Sequence, residues 1–547
     1  MRGWYGRQSF WWWLCMGGGL GLLMLLLAGF VARHALDGLA RRAVVLPPRQ
    51  EHFREVPQVP SSVFDVGPAR HIPAARSWTM PPESAEAVRL PATDGVDVIA
   101  GEYVLFVGDT FTRERLLALV EAYGVVVLDR SAHAIRVRAR DRGRLAALLR
   151  AVPGQVDVEA NLRLRIPPLD GTEDALPPPA GGYHGFGDQA LAWLGVPTPA
   201  ASWGRGVVVA VLDTGISGIG VAQRIDLVGE GGYGGHGSLV AGILREMLPG
   251  ATLLDVQVMH QDGTGDSFTV AKGIREAVDA GAQVINMSIG TRGESRVLAE
   301  AVTYALSQGV LLVASAGNEG VARVSYPAAY DGVLSVAAID ANEQHLHVSN
   351  RGDRVDLAAP GVGVGVPMEG GERVSFSGTS TAAPFVSATA GLALSIDRSL
   401  DGASVHHLLR ALANDTGEPG VNVFTGAGIV SPLRVLEKDQ SGIVDMAVLR
   451  PFLHKQADGG VGAITVAAEN RGTEDLEAVE MIVVVNDHEY RLDFEGVGRG
   501  RSIAHRFDAQ AHVRDDAVLD VGVRVVVPED TRPENNQIRT LWMPVDP

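Results

Sequence analysis

Apolar positions recur along this chain with three different rhythms, one after another. From residue 99 to 167, short apolar runs interleave with amphipathic stretches. Residues 102–107 read as a strand, 112–123 as a helix with Leu116, Leu119 and Val120 on one face, and 125–128 as a strand. Strict alternation over 133–139, a helix around Leu145, Leu148 and Leu149, and a strand over 156–159 complete a βαββαβ order, the split βαβ arrangement of ferredoxin-like domains. From 188 to 437, continuous Val/Ile/Leu strands at 207–212, 253–258, 284–287, 310–314 and 333–339 alternate with helical patterns at 239–247, 270–280, 299–306 and from Ser380 onward. Uninterrupted apolar strands separated by helices predict an α/β fold, a parallel sheet covered on both faces. Beyond 440 the helical period disappears. Alternating runs at 461–467, 481–485, 490–494, 503–507, 521–527 and 538–542, separated by turn residues, predict an all-β sandwich over 440–547.

The N-terminal end follows other rules. After a short tail, 1–9, residues 10–32 carry no charge, a length that can span a bilayer core. The expectation is a transmembrane anchor or a signal segment. The nearest small-x-small site, Gly38-Leu-Ala40, lies well past the apolar run, which favours the uncleaved anchor. Flanking arginines on both sides leave the orientation open by charge. The C-terminal body is expected outside the cytoplasm, at the periplasm or cell surface, or secreted if the segment is cleaved. Residues 43–97 hold many prolines and little periodicity, the pattern of an extended linker. Further prolines at 167–168 and 177–179 mark an exposed connection suited to a proteolytic nick.

A net charge of −17 carries no basic run, which argues against a nucleic-acid partner. The single cysteine, Cys15, rules out an intrachain disulfide and a cysteine-rich metal site.

Candidate chemistry collects where an open parallel sheet offers its carboxyl ends. One predicted strand ends in Asp213-Thr-Gly215 and another in Ala314-Ser-Ala-Gly-Asn318. A glycine-rich loop, 231–235, delivers His236 to the start of a helix, and Phe376-Ser-Gly-Thr-Ser380-Thr-Ala-Ala-Pro384 sets a hydroxyl among small residues, with Pro384 expected in a first helical turn. Each residue has a dull alternative as a cap or turn former. Together, a carboxylate, an imidazole and a hydroxyl in the order Asp, His, Ser match the needs of acyl transfer.

The blocks Asp213-Thr-Gly, His236-Gly-Ser-Leu-Val-Ala-Gly, Ala316-Gly-Asn318 and Gly378-Thr-Ser380-Thr-Ala-Ala-Pro resemble the signature blocks of the subtilisin-like serine proteases. The resemblance covers about 200–437. It implies Asp213, His236 and Ser380 as a triad, with Asn318 and the Ser380 N–H as an oxyanion hole. It further implies Ser288, Ile289 and Gly290 as a substrate-pairing edge, and Ala314, Ser315, Ala316 and Gly317 as a pocket lining. Residues 99–167 are similar to the inhibitory propeptides of that family, which implies a self-processing zymogen cut somewhere between about 166 and 187. Residues 440–547 resemble bacterial Ig-like adhesion modules, and a plain packing domain stays equally open. The expected partners are a protein or peptide substrate, the chain's own propeptide in cis, and a membrane through 10–32. No cofactor is needed for the chemistry. A structural calcium is possible, but no oxygen-ligand series assigns its site, so metal ligands stay unknown. Two other functions stand beside this one: a membrane-tethered scaffold built on an inactive protease, and an aspartic-type protease using Asp213 and Asp415, since Asp-Thr-Gly occurs at both.

Overall fold

The computed structural model describes residues 96–152, 156–168, 182–231, 235–455, 461–508 and 518–542. The apolar segment 10–32, nearly all of 43–97, residues 169–181 and the middle of the glycine-rich loop lie outside them.

The N-terminal unit is an antiparallel sheet of β1 (Val98–Val107), β2 (Val125–Arg130), β3 (Ala134–Ala139) and β4 (Val156–Arg165), in the order β2-β3-β1-β4. Helices α1 (Thr110–Leu119) and α2 (Arg142–Ala151) start where Asp109 and Asp141 accept the N–H groups of Thr112 and Arg144. Leu116, Leu145 and Leu148 bury one helical face against Leu105 and Ile135. The main departure from the sequence pattern is at β4, which runs six residues past Glu159, to Arg165. The excess length is polar or charged on alternate positions. It is stabilised by pairing with another element, not by its own composition.

That element is β8 (Thr264–Asp266), which pairs antiparallel with β4 in the register Arg163↔Asp266, Leu164↔Gly265, Arg165↔Thr264. It belongs to the central unit. There, β5 (Val208–Asp213), β6 (Gln223–Asp226), β7 (Thr252–Gln257), β9 (Val284–Met287), β10 (Leu311–Ser315), β11 (Val333–Ile339) and β12 (Leu357–Pro360) form one parallel sheet in the order β12-β11-β10-β9-β5-β7-β6. The chain leaves β5 toward β7 and later returns on its other side as β9, so the order reverses at β5. The crevice beyond its carboxyl end is where such a sheet gathers a site. The helices of this unit are α3 (Ala190–Trp193), α4 (Gly235–Met247), α5 (Ser267–Asp279), α6 (Arg296–Ser307), α7 (Thr379–Ile396), α8 (Gly402–Ala411) and α9 (Pro432–Glu437). A hairpin of β13 (Val364–Pro367) and β14 (Arg373–Phe376) precedes α7. Helix α7 is long and apolar enough to cross a membrane, yet 89% of its apolar window is buried, so it is the central core helix.

The C-terminal unit comprises β15 (Met446–Val448), β16 (Phe452–Lys455), β17 (Val461–Asn470), β18 (Leu476–Val485), β19 (His488–Val497), β20 (Ser502–Asp508), β21 (Leu519–Val526) and β22 (Gln537–Trp542). They form two four-stranded sheets, whose inward residues Ile464, Val466, Met481, Val483, Val521 and Val523 share one core. Glu469 of β17 reaches the central unit. It pairs with the buried Arg434 at 2.6 Å and accepts the N–H of Asp415 at 2.9 Å.

Candidate active site

Asp213 ends β5 and His236 is the second residue of α4. The imidazole Nδ1 lies 2.9 Å from both carboxylate oxygens. An ionised carboxylate only accepts, so in the neutral ring Nδ1 carries the proton and Nε2 is the free base. Thr214 locks the carboxylate, donating from its N–H at 2.8 Å and its hydroxyl at 3.2 Å, and that hydroxyl also accepts the Gly237 N–H. Residue 237 must be glycine because a Cβ there would press into the Gly215 carbonyl oxygen. Phe376 packs edge-on against the imidazole with centroids 5.4 Å apart, a neighbour the sequence did not point to.

One strand away, Asp255 supports the same loop by accepting the Ile216 N–H at 3.1 Å and pairing with Arg224 at 2.8 Å. Burial pushes its carboxyl up to about 6.

Ser380 is the second residue of α7, in the turn whose N–H groups lack intrahelical acceptors. Its hydroxyl donates to the Ser288 carbonyl at 3.2 Å, while His236 Nε2 is buried without a hydrogen-bond partner. The structure thus brings Asp213 and His236 together and holds the Ser380 hydroxyl on a different acceptor. Pro384 corrects the sequence reading. It is the sixth residue of the helix, past the first turn, and its missing N–H frees the Ser380 carbonyl four residues earlier. The Ser288 hydroxyl donates to that carbonyl at 3.0 Å, which explains how the proline is accommodated.

Asn318 is oriented by Thr379, whose N–H and hydroxyl both donate to its Oδ1, at 3.0 and 2.9 Å. Its Nδ2 therefore faces the cleft and donates to the Pro167 carbonyl at 3.0 Å. The tail after β4 fills this cleft. Arg165 and Gly290 exchange both backbone hydrogen bonds, at 2.9 and 2.8 Å, and Ile166 donates to the Gly263 carbonyl. The expected edge, Ser288, Ile289 and Gly290, is therefore one side of a pair. The other side, Gly263 to Asp266, carried no sequence signal because four polar or glycine residues do not look like a strand.

The cleft beside Pro167, about 400 Å³, is lined by Gly290, Thr291, Arg292, Asn318 and Glu319 together with residues of the tail and of β1's approach. Ala314, Ser315 and Ala316 are fully buried and do not line it, and neither does Gly317. Gly317 has a φ of +104°, and a Cβ there would collide with Asn350, Glu319 and Ser325. Among the described residues, no cluster of three or more His, Cys, Asp or Glu side chains is placed to hold a metal.

The second Asp-Thr-Gly lies elsewhere. Asp415 accepts the Gly420 N–H and the Ser502 hydroxyl, at the contact with the C-terminal unit. Asp213 has Thr214 and His236 as partners, so the two carboxylates do not form the proton-sharing pair that an aspartic mechanism requires.

Residues 204–428 match the subtilase family of peptidases. The chain is 37% identical over 240 residues to a thermostable alkaline protease of Halalkalibacterium halodurans, which covers 40% of this chain and 65% of that protein. It is 35% identical over 270 residues to subtilisin BL of Lederbergia lenta, covering 44% of this chain and 97% of that enzyme. The crystal structure of fervidolysin from Fervidobacterium pennivorans, a keratinolytic enzyme related to subtilisin, shares the fold with a TM-score of 0.53 and 23% identity, covering 83% of this chain and 77% of that one.

Proposed function

The chain belongs to the subtilase family of serine endopeptidases, and from that premise we propose that it hydrolyses peptide bonds through Asp213, His236 and Ser380 after being made as a self-restrained zymogen. The observation that carries this reading is the Pro167 carbonyl held by the Asn318 amide, beside a histidine whose Nδ1 is fixed on Asp213.

In the proposed reaction, His236 Nε2 takes the Ser380 proton as the hydroxyl oxygen attacks the substrate carbonyl carbon. Asn318 Nδ2 and the Ser380 N–H stabilise the oxyanion. The C–N bond then breaks, His236 returns the proton to the leaving amine, and water repeats the sequence on the ester to release the acid. Asp213 keeps Nδ1 protonated and stabilises the imidazolium. A substrate backbone joins the Gly290 edge as an added strand. Residues 99–167 act as the inhibitory propeptide in cis. The segment 10–32 tethers the protein to a membrane with the catalytic body outside the cytoplasm, and 440–547 serves as a packing or adhesion module.

Purified protein is expected to hydrolyse casein, and a phosphonylating reagent is expected to label Ser380. Substitution Ser380→Ala should abolish hydrolysis, labelling and self-cleavage, by a factor of about 10⁶ in kcat, a magnitude that itself comes from subtilisin. Undiminished cleavage by that variant would overturn the proposal, and absence of both casein hydrolysis and Ser380 labelling in the unaltered protein would favour the scaffold reading of this unit.

A further inference from the structure

We infer that the bond presented to the nucleophile in this zymogen, Pro167–Pro168, is a lock that the enzyme does not cut, so the tail remains an inhibitor and processing falls beyond Pro168. The inference rests on the protease reading above and goes beyond it by assigning which bond is protected and why.

The register comes first. Arg165 and Gly290 exchange both hydrogen bonds, so in an antiparallel ladder the next hydrogen-bonded pair is two residues along each strand, 167 opposite 288. An ordinary residue at 167 would donate its N–H to the Ser288 carbonyl. Proline has no N–H to give. The Ser288 oxygen instead accepts the Ser380 hydroxyl, at 3.2 Å, and His236 Nε2 has no partner. The nucleophile's proton is thereby directed to a backbone carbonyl and away from the base that must remove it.

The leaving side adds a second obstacle. Cleavage would form a bond from Ser380 Oγ to the Pro167 carbonyl carbon and break the bond to the Pro168 nitrogen, with the hydroxyl proton passing through His236 to that nitrogen. The nitrogen of Pro168 carries ring carbon in place of hydrogen, which puts bulk beside the line of proton delivery. The carbonyl itself is well placed, since Asn318 Nδ2 is 3.0 Å from it. Binding is therefore productive in register and unproductive in chemistry, which is the combination an inhibitor needs. Leu164, fully buried, and the β4–β8 pairing hold the tail upstream.

The test uses the full chain. Intact-mass measurement and N-terminal sequencing of the processed protein are expected to place its first residue after Pro168, with the released fragment retaining the Pro167–Pro168 bond. A wild-type product that begins at Pro168 overturns the inference. The double variant Pro167→Leu/Pro168→Ala is expected to be cut at 167–168 about a hundredfold faster or more, the scale of restoring a positioned general base. No cut there in a folded variant that still hydrolyses casein overturns the inference. Should the variant not fold, a peptide of sequence 161–171 with the same two changes, offered to the processed wild-type protein, is expected to be cut after residue 167, while the native-sequence peptide is recovered intact. Equal cleavage of the two peptides overturns the inference alone. Absence of any casein hydrolysis or Ser380 labelling in the wild type removes the protease reading, and the inference with it.

Discussion

Glu159, on the last strand of the N-terminal sheet, accepts the backbone N–H of Arg296 at 2.7 Å, at the start of a helix in the central unit. The Val297 N–H and the Ser295 hydroxyl reach the same carboxylate, both at 3.0 Å. Ser295 stands at the N-cap of α6 without capping it by its own side chain, so the cap comes from 136 residues upstream. Two residues on, Asn161 adds to the start of α5, which Asp266 already caps, by accepting from Ser267 and Phe268 and donating to Asp266. Hydrogen bonds to a charged group contribute roughly 1.5–3 kcal/mol, so Glu159→Ala should raise the concentration of the N-terminal fragment needed for inhibition by about 10–100-fold. A titration of caseinolytic activity against that fragment measures it.

Asn318 makes a sharper case, because its orientation is dictated by the two donors on Thr379. Asn318→Ala leaves the Asp213–His236 pair untouched and removes the proposed oxyanion donor. We expect kcat to fall by about 10²–10³ with little change in KM, a range known from a subtilisin. An Asn318→Ala variant whose loss lies mainly in KM would show the amide to be a binding group only.

His345 controls an acid limb of stability. Part of the residue reaches the surface, yet both ring nitrogens are sealed from water, and the ring packs edge-on against Phe424. Burial pushes the imidazole down to about 4 from 6.5. The unfolded chain then takes up a proton that the folded one refuses. The stability is full above pH 6.5 and is lost as pH falls toward about 4. His345→Phe should flatten the fall in Tm across that window, and an unchanged slope would assign the acid limb to other groups.

Arg434 and Glu469 bind the C-terminal unit to the central one through a pair that is 6% and 3% exposed. Glu469 also accepts from Arg471 at 3.1 Å and from the Asp415 N–H, so removing it strands two cations and a backbone donor. Glu469→Ala should destabilise the protein by about 3–5 kcal/mol, the cost of leaving a buried charge unpaired. Chemical denaturation is expected to show the loss, together with separate unfolding of the β-sandwich.

The residues of the candidate site could be named from the chain alone because each has a local cause. Asp213 and Asn318 follow apolar runs that can only be buried strands, and His236 and Ser380 sit among small residues where a side chain must approach a neighbour. The alternation after residue 440 likewise marks two-faced strands, since period two has one physical meaning. Sequence reasoning failed where contacts join distant segments. Neither the extension of β4, nor β8, nor the helix-start hydrogen bonds from Glu159 and Asn161 has a local signal, because each stabilises through a partner more than 90 residues away. The same is true of Pro384, whose place in the helix depends on a Ser288 hydroxyl to satisfy the carbonyl it frees. Which residues are candidates for the chemistry was a property of the sequence. Only the tertiary structure decided what the Ser380 hydroxyl bonds to, because that depends on a register between Arg165 and Gly290 that lines up a proline with Ser288.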